Sequence, residues 1–274
     1  MQYETEKSAS AHVGDRENAE APKYCSSIHV LCWLRTRLFE FYALIMSLGV
    51  GAAVICYEAV GWRRNPPRVR GLLRFWSTWF MRGARVILGL RYNFEGMENI
   101  PDRPVIFIGN HQSYWESIMM TVLFPHINIV TKRASMDIPV FGWGLRHAPM
   151  IPVDRDQPGR NIRRIIREGA ASVRAGRSLL IFPEGGRVEV GATRPYSRGF
   201  DILYREAGAE VVPFVTNAGL RWPPGFGVKC PGPITLRFFP PIPAGRDPKV
   251  FARSLEEFLN AEKDKLLKES RKAG

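Results

Sequence analysis

Short apolar runs alternate with longer amphipathic segments over the C-terminal two thirds of the chain. Short runs bounded by polar or glycine-rich turns are typical of buried strands, and the periodic segments between them are typical of helices. The predicted strands are Val105–Ile108, Ile127–Thr131, Ser178–Phe182, Glu210–Phe214 and Ile234–Phe238. The predicted helices are Ser113–Leu123, Asn161–Ala175, Arg198–Ala207 and Pro248–Lys268. This alternation predicts an α/β fold, a single domain with a mixed, mostly parallel sheet flanked by helices.

The N-terminal third has a different pattern. Residues 1–24 are polar and mixed in charge, which predicts a disordered arm. The run from Phe41 to Tyr57 contains no charge and is at the short edge of what spans a bilayer. Arginines flank it on both sides, so they indicate no orientation, and a single span and a partly embedded helix both fit.

The segment Leu72–Leu90 mixes aromatic residues with arginines, as helices at a membrane interface do. An ordinary amphipathic helix packed on the domain fits this segment equally well. We therefore divide the chain into the polar arm (1–24), N-terminal membrane-associated helices (25–92) and an α/β domain (93–274).

Composition and charge narrow the class of partner. The 274 residues are 45% hydrophobic, which indicates a folded protein, and the formal net charge of +13 indicates an anionic partner. The arginines lack the pattern of a recognition helix or a stacking platform, and the uncharged apolar run favours an anionic membrane surface over nucleic acid. The four cysteines are widely spaced without a C-x-x-C pair, so we expect reduced cysteines and no metal site.

The first candidate for chemistry follows the predicted strand Val105–Ile108. His111 lies in a polar turn, and a histidine there is suited to proton transfer because its ordinary pKa is near neutral pH. Glu116 follows five residues later and reaches His111 only if it lies in the first turn of a helix. Ser113 and Glu116 also form a capping box, so a structural role at the helix start stays open, and the same capping contact would hold Glu116 close to His111.

The second candidate is the turn after the strand Ser178–Phe182. Gly185 and Gly186 allow backbone amides to approach a ligand, and Arg187 offers a guanidinium fork that matches phosphate. A plain surface turn with an exposed arginine fits the same residues. Further cations lie at or near the ends of predicted elements, and together they indicate a pocket for an anionic substrate: Lys132, Arg155, Arg187 and Arg198.

In content and order these motifs resemble those of the glycerolipid acyltransferases, most closely the 1-acylglycerol-3-phosphate (lysophosphatidic acid) acyltransferases. The family's N-H-x4-D motif is similar to Asn110–Glu116, and its F-P-E-G-T-R motif is similar to Phe182–Arg187. Its K…P-x-F-G…I-x-R region and its V-P stretch are similar to the segments Lys132, Pro139–Gly142, Ile151–Arg155 and Val211–Val215. Two positions depart from the family pattern: Glu116 replaces an aspartate, and Gly186 replaces a threonine.

The resemblance implies an acyltransferase that moves a fatty acyl group from acyl-CoA or acyl carrier protein to the free hydroxyl of 1-acylglycerol-3-phosphate. The product would be phosphatidic acid, made in phospholipid synthesis. His111 would act as general base and Glu116 would orient it. The acceptor would be bound by the remaining candidate residues: Lys132, Arg155, Glu184, Gly185, Gly186 and Arg187.

The same resemblance implies no cofactor and no metal, with the acyl donor serving as co-substrate. The partners expected are a lysophospholipid acceptor, the acyl donor and an anionic membrane surface. We expect the protein at the inner (cytoplasmic) membrane, with its catalytic domain on the cytoplasmic side. Two alternatives stay open: transfer to another lysolipid such as a lyso-ornithine lipid, and an inactive membrane-binding relative.

Overall fold

The computed structural model describes residues 29–59, 66–137, 142, 145–146, 150–154, 158–197, 199–225 and 227–272. The predicted arm, 1–24, lies outside the described residues, as do the predicted site residue Arg155 and the cation Arg198. The described chain begins with two helices, α1 (His29–Ala59) and α2 (Pro66–Ile87), which pack against each other.

The described residues that follow form a seven-stranded sheet. Its strands are β1 (Leu90–Glu95), β2 (Ile106–Gly109), β3 (Asn128–Lys132), β4 (Ile151–Val153), β5 (Leu179–Ile181), β6 (Val211–Thr216) and β7 (Gly232–Phe238). The spatial order is β1-β7-β6-β2-β5-β3-β4, and every neighbouring pair is parallel except β6 and β7. The predicted mixed, mostly parallel sheet is therefore confirmed.

Helices cover both faces of this sheet. The remaining helices are α3 (Trp115–Leu123), α4 (Pro158–Arg174), α5 (Phe200–Ala207) and α6 (Pro248–Lys272). Side chains alternate along each strand, so Phe107 of β2 faces a core shared with α1, α2 and α3. Its neighbours Ile106 and Ile108 face a second core shared with α4, α5 and α6. Because β2 is buried on both faces, the turn that follows it starts from the centre of the sheet.

The two strands at the sheet edges were not among the predicted ones. The β1 sequence alternates weakly because only Leu90 is fully buried, and its partner β7 lies far along the chain. The β4 strand has three residues and contains Pro152, a residue that edge strands tolerate because one side of the backbone needs no ladder partner. Both edges therefore depend on pairing with neighbours rather than on local pattern.

The N-terminal helices α1 and α2 expose large apolar side chains, which raises the question whether either helix could cross a membrane. Among the helices that the structure describes, none is long and apolar enough to cross a membrane. Cys32 and Cys56 carry free thiols, whereas Cys230 is disulfide-bonded, so the expectation of reduced cysteines is wrong at Cys230.

Candidate active site

His111 and Glu116 contact each other at the carboxyl end of the central strand β2. Nδ1 of His111 lies 2.8 Å from Oε1 of Glu116, and a carboxylate can only accept, so Nδ1 carries the proton. The other ring nitrogen, Nε2, is then left as an unprotonated acceptor. The Glu116 side chain is fully buried, whereas the His111 side chain is 17% exposed and can be reached from outside.

The same carboxylate also caps the helix. Oε1 of Glu116 accepts the backbone N–H groups of Gln112 at 2.6 Å and Ser113 at 2.7 Å, and Oγ of Ser113 accepts the N–H of Trp115 at 3.1 Å. Helix α3 begins at Trp115, two residues later than predicted. The capping contacts and the histidine contact therefore coexist, since the capping geometry directs Glu116 back towards His111.

Glu116 has one oxygen that these contacts do not use. Its Oε2 is buried and has no hydrogen-bond partner among the described residues. A buried carboxylate without full compensation is costly, and a positive charge on the neighbouring ring offsets part of that cost. The Glu116 carboxylate is thus placed to interact with a charge that develops on the His111 ring during a reaction.

The imidazole ring of His111 is fixed on its face and through its backbone. It stacks on the ring of Phe182 at a centroid distance of 4.0 Å, with 12° between the ring planes. The backbone carbonyl of His111 accepts the N–H of Val188 at 2.7 Å. Because Phe182 and Val188 flank the second motif, these contacts join the turns after β2 and β5 into one site.

Glu184 is the third ionisable group of the site. Its Oε2 accepts the backbone N–H of His111 at 2.8 Å. Burial raises the pKa of the Glu184 carboxyl to about 7, and the charge of Glu116 acts in the same direction. The His111 N–H bond, Lys263 and Arg194 act in the opposite direction, stabilising the charged form of the carboxyl. Glu184 thus has two properties that matter for the site: it is bonded to the backbone of His111, and its carboxyl has a raised pKa.

Asn110 connects the histidine turn to the next strand of the sheet. Its side chain donates to the carbonyl of Thr216 at 2.9 Å and accepts the N–H of Thr216 at 2.8 Å. The preceding Gly109 lies so close to β6 that a Cβ atom would be 2.5 Å from the carbonyl oxygen of Phe214. These two residues fix where His111 leaves the sheet, which is a structural role.

The glycine turn after β5 brings two further cations together. Gly185 adopts a φ of 68°, the left-handed region that favours glycine. At Gly186, a Cβ atom would lie 3.1 Å from Nη1 of Arg194 and 3.9 Å from Nζ of Lys132. The structure thus brings the predicted Lys132, at the end of β3, to the predicted turn.

Arg187 lies beside the histidine turn and stacks on an aromatic ring. Its guanidinium carbon lies 3.8 Å from the ring centroid of Tyr114, a cation–π distance. One guanidinium nitrogen, Nη1, is buried and lacks a hydrogen-bond partner among the described residues. The stacked guanidinium therefore keeps donor capacity for a ligand oxygen.

The predicted residues His111, Glu116, Glu184, Gly186, Arg187 and Lys132 lie together at the carboxyl edge of β2, β3 and β5. Arg194 and Tyr114 were not predicted as site residues. Arg194 lies in a stretch without periodicity, and Tyr114 lies between the two residues of the predicted capping box, Ser113 and Glu116. The sequence did contain one weak indication of Arg194: Gly186 stands where the family motif has a threonine, which leaves space for another side chain.

The site has the groups needed for general-base catalysis on an anionic substrate. It combines an imidazole oriented by a buried carboxylate with cations on an adjacent glycine turn. Among the described residues, no three His, Cys, Asp or Glu side chains form a group that could hold a metal ion. Residues 91–217 match the family model described as Acyltransferase. The chain belongs to this acyltransferase family, and the resemblance seen in the motifs is confirmed.

Relatives of this chain within the family are named for the same activity. The chain is 36% identical over 186 residues to the 1-acyl-sn-glycerol-3-phosphate acyltransferase of Pseudomonas aeruginosa, covering 68% of this chain and 72% of the relative. It is 30% identical over 209 residues to the enzyme of that name from Limnanthes douglasii, covering 75% and 73%. The crystal structure of the 1-acyl-sn-glycerophosphate acyltransferase of Thermotoga maritima shares the fold, with a TM-score of 0.60 at 22% identity, covering 83% of this chain and 97% of that one.

Proposed function

We propose that the protein transfers a fatty acyl group from a thioester to the free hydroxyl of 1-acylglycerol-3-phosphate, giving phosphatidic acid. The observation that carries the proposal is the 2.8 Å contact of His111 with Glu116, directly beside the cationic glycine turn. The names of the relatives in Pseudomonas aeruginosa and Limnanthes douglasii support the choice of acceptor. Acyl-CoA and acyl carrier protein both stay as candidate donors.

The proposed reaction needs one base and no covalent enzyme intermediate, because a thioester is already activated. Nε2 of His111 takes the hydroxyl proton as the hydroxyl oxygen attacks the thioester carbonyl carbon. The C–O ester bond forms, the C–S bond breaks, and the proton passes from the imidazolium to the leaving thiolate. Glu116 holds the ring and stabilises its positive charge. Assistance of this kind is worth roughly 10²–10⁴-fold in rate.

The acceptor phosphate is proposed to bind at the glycine turn. Arg187 is held by Tyr114 with a buried nitrogen that lacks a described partner, and Lys132 lies next to Gly186. Arg155 stays a predicted member of this site, outside the described residues.

The decisive assay uses the purified full chain in detergent, with lysophosphatidic acid as acceptor and acyl-CoA or acyl carrier protein thioester as donor. We expect thiol release and phosphatidic acid with at least one donor, and loss of both products in His111→Ala. A panel with lysophosphatidylglycerol and a lyso-ornithine lipid tests the acceptor. Faster transfer to either would replace the proposed acceptor, and no thiol release with any pair would favour an inactive membrane-binding relative.

We further propose that α1 and α2 hold the protein on an anionic membrane surface. Exposed apolar side chains of α1 recur at alternating spacings of four and three residues, which places them in one stripe: Leu34, Leu38, Phe41, Ile45 and Leu48. The helix buries a different side against the domain, through residues such as Phe39. Arginines border the apolar surface, with Arg37 over the ring of Trp33 and Arg82 over that of Trp79.

This arrangement matches an interfacial helix pair, with rings at headgroup depth and cations near lipid phosphate. Flotation with vesicles of pure phosphatidylcholine and of phosphatidylcholine with phosphatidylglycerol tests it. We expect stronger binding to the anionic vesicles and weaker binding of the double variant Phe41→Ser, Leu48→Ser. Val250→Ser, at an exposed position of α6, is the matched control. Wild-type protein that stays with the unbound fraction would contradict the proposal. Location at the inner membrane stays a prediction.

A further inference from the structure

Gly186 departs from the family motif, and its own backbone does not explain the departure. Among the described glycines of this turn, Gly185 has a positive φ of 68°, whereas Gly186 is not in the left-handed region. What distinguishes Gly186 is its neighbourhood, because a Cβ atom there would lie 3.1 Å from Nη1 of Arg194. That spacing is tighter than ordinary van der Waals contact, so a side chain at position 186 would shift the end of the Arg194 side chain, and the glycine leaves it in place.

Arg194 is held at this position by the segment that carries it. Its Nη1 donates to the backbone carbonyl of Glu184 at 3.4 Å. The buried ammonium group of Lys263 donates to the carbonyl of Ala192 at 3.0 Å and contacts Oγ1 of Thr193 at 3.4 Å. This segment has no regular secondary structure, yet its neighbours are pinned to α6 and to the glycine turn. The fold therefore holds the backbone next to Arg194, and the hydrogen bond to Glu184 directs its side chain to the glycine turn.

Two cations consequently face one point of the turn. Nη1 of Arg194 and Nζ of Lys132 both lie within 4 Å of the position that a Gly186 side chain would take. The bond to the Glu184 carbonyl engages one guanidinium nitrogen of Arg194, an exposed residue, and a guanidinium has five N–H donors. The remaining donors are available to a ligand oxygen at the mouth of the site.

We propose that Arg194, admitted by Gly186, is a further acceptor-binding residue that makes the site selective for a phosphate monoester over a phosphodiester. This inference rests on the proposed function. A phosphate monoester carries about −1.5 to −2 charges at neutral pH, whereas a diester carries one. A second cation beside Lys132 therefore interacts more strongly with the monoester. The monoester also offers three terminal oxygens to the guanidinium of Arg194, whereas the diester offers two.

The first test compares Arg194→Gln with the wild type on two acceptors, lysophosphatidic acid and lysophosphatidylglycerol. We expect kcat/KM to fall about tenfold for the monoester, mainly through KM, and less than threefold for the diester. Arg205→Gln is the matched control, because Arg205 is also an exposed arginine and pairs with the adjacent Glu206. Equal losses on both acceptors, or no loss on either, would overturn the inference.

The second test introduces the missing side chain. Gly186→Thr should displace the Arg194 guanidinium and reduce monoester selectivity to a similar extent as Arg194→Gln. In the Arg194→Gln background the threonine should cause little further loss, which appears as coupling in a double-mutant cycle. Fully additive losses would mean that Gly186 and Arg194 act independently, against the proposal.

Equilibrium binding separates this inference from the proposed function. The His111→Ala protein, which cannot turn over, is titrated with a short-chain lysophosphatidic acid with and without Arg194→Gln. Weaker binding in the Arg194→Gln background supports the inference even if no acyl transfer is found in the wild type. Equal binding overturns it, and active wild-type enzyme would then leave the proposed function standing.

Discussion

Oε1 of Glu116 lies 2.8 Å from Nδ1 of His111 although five residues separate the two along the chain. The contact exists because His111 is in a turn and Glu116 is in the first turn of α3, where it also accepts the N–H of Ser113. One carboxylate oxygen thus caps the helix and orients the imidazole. A substitution that changes only its charge can separate these two roles.

Glu116→Gln should preserve the fold and slow the reaction. An amide oxygen can still accept the N–H groups of Gln112 and Ser113, but it no longer stabilises the imidazolium of His111. We expect kcat to fall by about 10²-fold or more, with a thermal midpoint within a few degrees of the wild type. Glu116→Asp keeps the charge on a shorter arm and serves as the comparison. Near-full turnover in a folded Glu116→Gln protein would mean that capping is the main role.

Stability should fall as pH rises from about 4.5 to about 7 through Glu184. The folded-state pKa of this carboxyl is raised to about 7 from an ordinary value of 4.5, so the unfolded chain loses its proton first. In that window the folded state binds more protons, and stability declines by up to about 3 kcal/mol before levelling above the folded pKa.

The check is the free energy of unfolding across this pH range for the wild type and Glu184→Gln, measured by urea denaturation in detergent. The difference between the two proteins removes the contributions of other titrating groups. We expect the variant to gain stability relative to the wild type as pH rises. A difference that stays constant from pH 4.5 to 8 would contradict the raised pKa.

Tyr114→Ala should weaken acceptor binding and leave the proposed general base, His111, unchanged. The Tyr114 ring lies 3.8 Å from the guanidinium carbon of Arg187 and restricts where the guanidinium can lie. A cation–π contact is worth about 0.5–2 kcal/mol, so we expect KM for the acceptor to rise roughly 2- to 30-fold with a smaller change in kcat. Tyr114→Phe keeps the ring and should behave like the wild type. If the phenylalanine variant loses as much as the alanine variant, the hydroxyl and not the ring face is responsible.

Asn110→Ala should destabilise the fold rather than act on chemistry directly. It removes both hydrogen bonds to Thr216 and leaves a buried N–H and a buried carbonyl without their partner. Each such loss costs about 1–3 kcal/mol, so we expect a decrease of roughly 2–6 kcal/mol in unfolding free energy by urea denaturation. Asn110→Asp keeps the acceptor but puts a buried carboxylate oxygen against the Thr216 carbonyl, so it should lose at least as much. A stable but inactive Asn110→Ala protein would instead assign Asn110 to the reaction.

The central strands were predictable because their signal is local. Isolated apolar runs such as Ile106–Ile108 and Leu179–Ile181 are buried on both faces, so their sequence alone identifies them. The edge strands were not, because β1 and β4 carry few buried positions and exist through pairing with β7 and β3. A sequence pattern records burial, and edge strands bury little.

The site divides in the same way. The types and order of His111, Glu116 and Arg187 along the chain were sufficient to predict a general base beside an anion-binding turn. Lys132 was also predicted, from its position at a strand end, whereas no pattern in the sequence indicated that Arg194 is the residue beside Gly186. The Glu184 contact with the His111 backbone likewise depends on β2 and β5 lying side by side.

The sequence by itself determined the chemistry available to this protein, because motif residues at strand ends carry their functional groups wherever the strands lie. It also determined that Glu116 could reach His111, since that contact depends on one local turn and one helix start. Only the tertiary structure decided that Glu184 contacts the backbone of His111 and that an unpredicted arginine lies beside Gly186. Those outcomes depend on how parallel strands and an irregular segment pack, which local sequence does not encode.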